Sequence, residues 1–468
     1  MLDPAHSSVI AANRFGLGAR PGELGAIGAD PRGWLRAQLQ GPPPQPSAAE
    51  LRSAAETLSA ALELRRDIEA QRRAARADPA AAEAQQMKIG QLLRPVYVSE
   101  ATARLALAVA TERPFLERLT QFWSNHFAVS VDKQLQAGLA GAYEREAIRP
   151  HVLGRFSDLL VAAETHPAML MYLDNHLSVG PNSAAAQHLA RRGGERQLGI
   201  NENLAREILE LHTLGVGGGY TQADVTTFAE VLTGYSVGDV RGRFPGGEPG
   251  HFYFRPEVHE PGAKVLLHTR YADTGFGQGL AVLNDLARQP ATAHFIATKL
   301  ARHFIADEPP EGAVKALAGT FTATEGDLPS VYRALIDARE AFEQPLAKYK
   351  TPNDYVVSAY RGLGVAVEPG KGGLAALETL GQRTWQPGSP AGWSDRGADW
   401  DGASALMKRI EWADAVGARL GSSRDAPQLA PQLLGANLSA GTHTAVQRAS
   451  SPAQGLTLLL AAPEFLRR

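Results

Sequence analysis

Between Asn201 and Gly219 the chain reads NENLAREILELHTLGVGGG, so amide, guanidinium, carboxylate and imidazole groups fall within a dozen residues. Wound as an α-helix at about 100° per residue, Asn201 to His212 gathers Leu204, Ala205, Ile208, Leu209 and Leu211 on one side. Asn203, Arg206, Glu207 and Glu210 fall on the other. Asn203 with Glu207, and Arg206 with Glu210, are i, i+4 pairs that share one patch; His212 lies nearer the apolar side. Such a face suits acid–base chemistry, with Glu207 or Glu210 as acid or base and Asn203 and Arg206 orienting an oxygen-rich ligand. The competing reading is a solvated helix face whose ion pairs are worth roughly 0.3 to 0.5 kcal/mol each.

Three further clusters carry polar chemistry. Gln121, Trp123, Asn125 and His126 stand in RLTQFWSNHFAVSVDK; a histidine among aromatic rings also serves as a paired core residue. His166, Tyr172, Asp174, Asn175 and His176 stand in AETHPAMLMYLDNHLS, where Asp174 and Asn175 equally suit a helix end. His259, Glu260 and Lys264 stand in PEVHEPGAKVLLH. A histidine beside a carboxylate can ligate a metal, but no HExxH spacing is present and no metal site is assigned. The glycine-rich GLGARPGELGAIGAD follows no strand, and neither a GxxxxGK[ST] loop nor a GxSxG elbow occurs, so nucleotide binding and common serine hydrolase chemistry are disfavoured. No motif names a cofactor.

The elements that position these groups read as helices. From Ser47 to about Gln91 an Ala, Glu, Arg and Gln-rich run interrupted at Asp78-Pro79 predicts a helical hairpin, preceded by the linker GPPPQP at 41–46. From Glu100 to Leu177 apolar residues recur every three or four positions. Residues 176–201, with basic residues at Arg191, Arg192 and Arg196, read as a mobile loop. Thr221 is placed to cap a helix over QADVTTFAEVLTGY. Residues 236–279, rich in Gly and aromatic side chains, predict a β-hairpin or lid, after which helical patterning returns up to a Gly, Pro and Trp-rich stretch, GQRTWQPGSPAGWSDRGADW. The expectation is a mainly α multi-helical array. Its parts are an N-terminal segment and hairpin (1–95), a central core (96–235), an insert (236–279) and a C-terminal helical region (280–468) continuous with the core.

Composition bounds the function. A 468-residue chain with 44% hydrophobic and 21% charged residues has the usage of a folded globular protein. The formal charge of −2 sets up no field for polyanions, so nucleic acid is not an expected partner. The absence of cysteine excludes disulfides, thiolate metal sites and thiol nucleophiles. No run of about 18 apolar residues predicts a membrane span. The N-terminus, lacking a basic and apolar leader, points to the cytoplasm as written, or to export if a leader was removed.

Several segments together resemble the bacterial family known as domain of unknown function 1800. They are NRFGLGARPGE (13–23), PFLERLTQFWSNHFAVS (114–130), MLMYLDNHLSVGPNS (169–183) and above all NENLAREILELHTLGVGGGYTQADVTTFAEVLTGY (201–235). HEPGAKVLLH, LARQPATAHFIATKLARHFI and GWSDRGADWDGASALMKRI extend the likeness along nearly the whole chain. The resemblance implies a helical protein without an agreed activity, often encoded beside a sulfatase-like or phosphatase-like companion and often exported. It matches the family motif at Asn201, Glu202, Asn203, Arg206, Glu207, Glu210, His212, Gly215, Gly219, Tyr220 and Thr221, particular polar groups that apolar packing alone does not require.

Two functions follow. The first is a hydrolase or lyase acting on an oxygen-rich, glycan-like substrate. Glu207, Glu210 and His126 would be catalytic, and Asn125, Asp174, Asn203, Arg206, His212 and Tyr220 would bind substrate, with Trp123, Tyr172, Tyr220, Trp385 and Trp393 available for stacking on sugar rings. The second is a non-catalytic scaffold that binds a companion protein through the 47–91 hairpin, with the polar network buried and structural. An enzyme predicts His126, Asp174, Glu207 and His259 around one open pocket.

Overall fold

Helix punctuation in the sequence is strong, and the structure follows it. Proline occupies the first turn of the helices Pro114–His126, Pro290–Phe304 and Pro352–Leu363, where its missing N–H costs nothing and its φ is already helical. Side-chain caps start others: Asp327 accepts from Ser330 N, and Thr221 with Asp224 forms a reciprocal capping box at Gln222–Leu232. In the computed structural model the described residues are 4–48, 51–74, 80–191, 199–239, 246–368 and 372–468. They form a mainly α array of twenty-three α-helices with two small antiparallel sheets.

Those sheets occupy the expected insert. Tyr235–Val237 pairs with Phe252–Phe254, and Lys264–Leu266 pairs with Thr269–Tyr271. The second hairpin turns at Leu267 and His268, both at positive φ (48° and 65°) without glycine, and Leu267 N is held by Asp224 Oδ1 at 2.9 Å. The 47–91 region contains the helices Ala54–Ala74 and Ala80–Ala110, the latter running through Pro95; the expected break at Asp78-Pro79 lies outside the described residues. Two expectations are corrected. Part of the segment read as a loop over 176–201 is the helix Ala184–Arg191, while Arg192 and Arg196 lie outside the described residues. The Pro-rich 41–46 stretch is a pinned strap rather than a free linker: Arg113 donates to the carbonyls of Gln38 and Pro42, and Arg149 to that of Pro44.

Two apolar cores share the molecule. The larger joins Phe15, Phe115, Trp123, Phe127, Phe156 and Phe304. The smaller, built mainly of C-terminal helices, joins Leu105, Tyr355, Val356, Leu363, Leu459 and Phe465. Helix Pro114–His126 contributes Phe122 and Trp123 to the first core, and helix Pro352–Leu363 contributes Tyr355 and Val356 to the second. The opposite polar edges of these two helices face each other across the seam.

Candidate functional site: a basic pocket at the seam of two cores

The seam encloses a pocket of about 90 Å3. On helix Pro114–His126 the residues Arg118, Gln121 and Asn125 line it; their i, i+3, i+7 spacing sets them in one stripe. The start of helix Pro352–Leu363 supplies Asn353 and Asp354, with the N-cap Thr351 accepting from Asp354 N at 3.1 Å. His303 comes from the end of helix Pro290–Phe304, and the non-helical stretch 382–395 closes the far side.

Asp354 is the electrostatic pivot. Arg118 Nη1 lies 2.9 Å from its Oδ1 and Arg468 Nε 2.7 Å from its Oδ2, with all three side chains at most 5% exposed. Burial raises its pKa, but the two guanidiniums overcome this and hold the carboxyl well below the usual range. The N-terminal NRFGLG segment helps aim Arg118: a π-helical turn over Ala11–Phe15 leads into Gly16, whose carbonyl accepts from Arg118 Nε at 2.7 Å. Gly18 there has φ +95°, and a Cβ on it would come within 2.4 Å of Ser358 Cβ, so only glycine fits.

His303 and Asp395 form a dyad. Nδ1 of His303 is 2.8 Å from Asp395 Oδ1. Asp395 is held down at about 2, against its own burial, chiefly by His303 and Lys299, so it is a carboxylate that accepts from Nδ1–H. Burial pushes His303 down to about 4. At neutral pH the ring is therefore uncharged, its proton on Nδ1 and its lone pair on Nε2. Among the described residues Nε2 has no hydrogen-bond partner, nor does the Gln121 amide nitrogen.

The pocket wall stores strain. Trp385 has φ +52°, uncommon for a bulky residue. It is held by its carbonyl, which accepts from Val131 N at 2.8 Å, and by its indole, which donates to Glu144 Oε2 at 3.3 Å. Glu144 sits in a buried ion cage: Arg104 at 2.7 Å, Arg149 at 2.8 Å, and Arg149 in turn fork-paired to Glu117 through two 2.7 Å bonds. Burial opposes ionisation of Glu144, but Arg104 and Arg149 prevail and its pKa falls to about 2.

Of the nine residues selected from the sequence, Asn125 alone lines this pocket, and both ends of its amide are committed: Nδ2 donates to Trp393 O at 2.8 Å and Oδ1 accepts from Trp393 N at 2.7 Å. His126 faces the other way, buried with Nε2 3.1 Å from His212 O. His212 is fully buried with Nδ1 2.7 Å from Glu164 Oε1. The helix carrying the central motif is α only over Asn203–Glu207 and becomes a π-helical turn over Ile208–His212, which changes the expected pairings. Arg206 bonds Glu202 at 2.9 Å and Gln222 at 3.0 Å, and Asn203 is exposed. Glu207 is half-buried, its pKa raised by burial and by Glu210 and Glu164 against the pull of His212. Tyr220 hydrogen-bonds Glu210, and burial followed by that charge raises its pKa.

The four clusters therefore do not share one pocket. Asp174, at φ 58°, pairs with Lys133 at 2.7 Å beside a separate groove of about 390 Å3. His259 is buried, its Nδ1 2.9 Å from Thr233 O, and Glu260 binds the backbone and side chain of Asn182. Among the described residues no three His, Asp or Glu side chains form a metal-binding group, and no helix is long and apolar enough to cross a membrane.

The family of proteins of unknown function DUF1800 matches residues 10–467. The chain belongs to the DUF1800 family. Its DUF1800 region thus contains both cores and nearly every pocket residue, from Arg104 to Asp395, with Arg468 one position beyond. The chain matches no curated protein and no solved structure.

Proposed function

We propose that this protein is a hydrolase or lyase for an oxygen-rich polar substrate, with its reacting centre in the seam pocket. The observation that carries the reading is the dyad of Asp395 and a neutral His303 whose Nε2 is unpartnered, set beside Arg118 and Arg468. A carboxylate-oriented imidazole accepts a proton, and guanidinium and amide donors beside it stabilise an oxyanion as it develops. Both steps are common to hydrolysis and to elimination. The test is turnover of a panel of nitrophenyl carboxylate esters, phosphate esters and glycosides, together with acidic oligosaccharides. A substrate turned over by the wild type is expected to lose roughly 10² to 10⁴ in rate on His303→Gln, the usual contribution of a general base. Wild-type turnover by folded His303→Gln and Asp395→Asn proteins sinks the proposal.

A second reading places the acid and base at Glu207 and Glu210, favoured by the raised pKa of Glu207 and the Tyr220 hydroxyl on Glu210. It predicts that Glu207→Gln, rather than His303→Gln, removes the turnover.

A further inference from the structure

We infer that the seam pocket takes a small oxyanion, the carboxylate or phosphate end group of a larger polar molecule, seated on Arg118 and Arg468. This deepens the proposed function and rests on its choice of pocket.

Charge is the first argument. Arg118 and Arg468 share the carboxylate of Asp354, and the second pocket carboxylate, Asp395, stands beside the uncharged His303, so these four charges balance. The surplus comes from the buried cations around them. Lys350 Nζ donates to Ser358 Oγ at 3.1 Å and lies 4.3 Å from the centre of the Phe465 ring, both neutral groups. Arg409, fully buried, donates to Lys350 O and stacks 4.2 Å over Tyr349. Arg14, also fully buried, gives its terminal nitrogens to the carbonyls of Ala341 and Pro345. Carbonyls and rings satisfy donors but cancel no charge, and an unbalanced charge out of water is costly. The strain is visible in Lys350, which burial first and its cationic neighbours next push down to about 7 despite Asp354. Asp395 keeps its charge beside the neutral His303, and Lys348 is ion-paired with Asp307. An anion arriving in the pocket therefore meets guanidinium, an unpartnered Gln121 amide donor and a neutral imidazole.

Size is the second argument. The pocket, at about 90 Å3, is smaller than the roughly 150 Å3 cavity that accepts benzene. A carboxylate or phosphate fits; a sugar ring does not. The remainder of the molecule stays outside, against the partly exposed lining residues Pro387 and Trp393.

The experiment is calorimetric titration of the full chain with inorganic phosphate and, separately, with acetate, at an ionic strength fixed with sodium chloride. Wild type is expected to bind at least one of them saturably; tighter phosphate identifies a phosphate-type end group and tighter acetate a carboxylate. Arg468→Gln is expected to weaken binding at least tenfold. Because Arg468 also donates to the His303 carbonyl, Gln121→Ala, which removes the buried, unpartnered amide nitrogen, supplies the second variant, with a several-fold loss. No saturable binding by wild type, or undiminished binding in both folded variants, overturns the inference. Binding is read without turnover, so anion binding retained by a His303→Gln protein whose turnover is unchanged refutes the catalytic proposal and leaves this one standing.

Discussion

Arg149 ties together two buried glutamates behind the pocket wall, and its removal has a calculable cost. Methionine in its place keeps the aliphatic bulk but deletes both bonds to Glu117 and the 2.8 and 3.1 Å bonds to Glu144. Glu117 and Glu144 remain, 0% and 1% exposed. Removing one partner of a buried pair costs about 3–5 kcal/mol; Glu117 loses its ion-pair partner while Glu144 keeps Arg104 at 2.7 Å, so Arg149→Met is expected within that range. That is a large part of the ~5–15 kcal/mol that holds a typical protein folded. Guanidinium unfolding followed by tryptophan fluorescence measures it, since Trp385 donates to Glu144; the midpoint should fall with the slope unchanged. The double variant Glu117→Gln with Arg149→Met should recover part of the loss, because the orphaned Glu117 charge is gone. A single variant within about 1 kcal/mol of wild type at neutral pH refutes the reasoning.

Acid should also weaken the wild type. His303 is held at about 4, below its ordinary 6.5, so the unfolded chain binds that proton more tightly and stability falls as pH drops from 6.5 towards 4. At 1.36 kcal/mol per pH unit this amounts to about 3 kcal/mol; Glu144, held at about 2 against 4.5, extends the loss into the window below pH 4.5. Unfolding midpoints from pH 7 to 4 check this, and a His303→Gln protein should show a shallower decline between 6.5 and 4. Gly392 has φ +78°, and a Cβ there would meet Asn125 O at 2.3 Å. Gly392→Ala should therefore destabilise by more than about 1 kcal/mol and raise protease cleavage within 382–395, while an unchanged cleavage pattern would remove Asn125 as the clamp on that stretch. Thr221→Ala breaks the capping box and should cost about 1 kcal/mol, readable in the same unfolding assay.

The helices were legible because their signals are local. Pro114, Pro290 and Pro352 announce helix starts, and Thr221 with Asp224 announces another. The site was mostly not legible, because Arg118, His303, Asp354, Asp395 and Arg468 each stand alone in segments that read as ordinary helix or loop. Only the packing of two cores brings them together, across up to 350 positions of sequence. The signals present were a charged residue on an apolar face, Arg118 in PFLERLTQFW, and the poorly helical TWQPGSPAGWSD, which has to lie against something. The polar motif over 201–212 was found, but ILELH reads as continuing α-helix, and only tertiary contacts reveal its π-helical turn with His212 turned inward onto Glu164.

The most direct test of the central claim is nitrogen-15 NMR of the histidine rings across pH 4 to 8, with and without phosphate or acetate. The account predicts that His303 stays neutral, with its proton on Nδ1, until the pH approaches about 4, and that its Nε2 signal moves when the anion binds. A His303 that titrates near its ordinary 6.5, with an Nε2 signal indifferent to both anions, would contradict it.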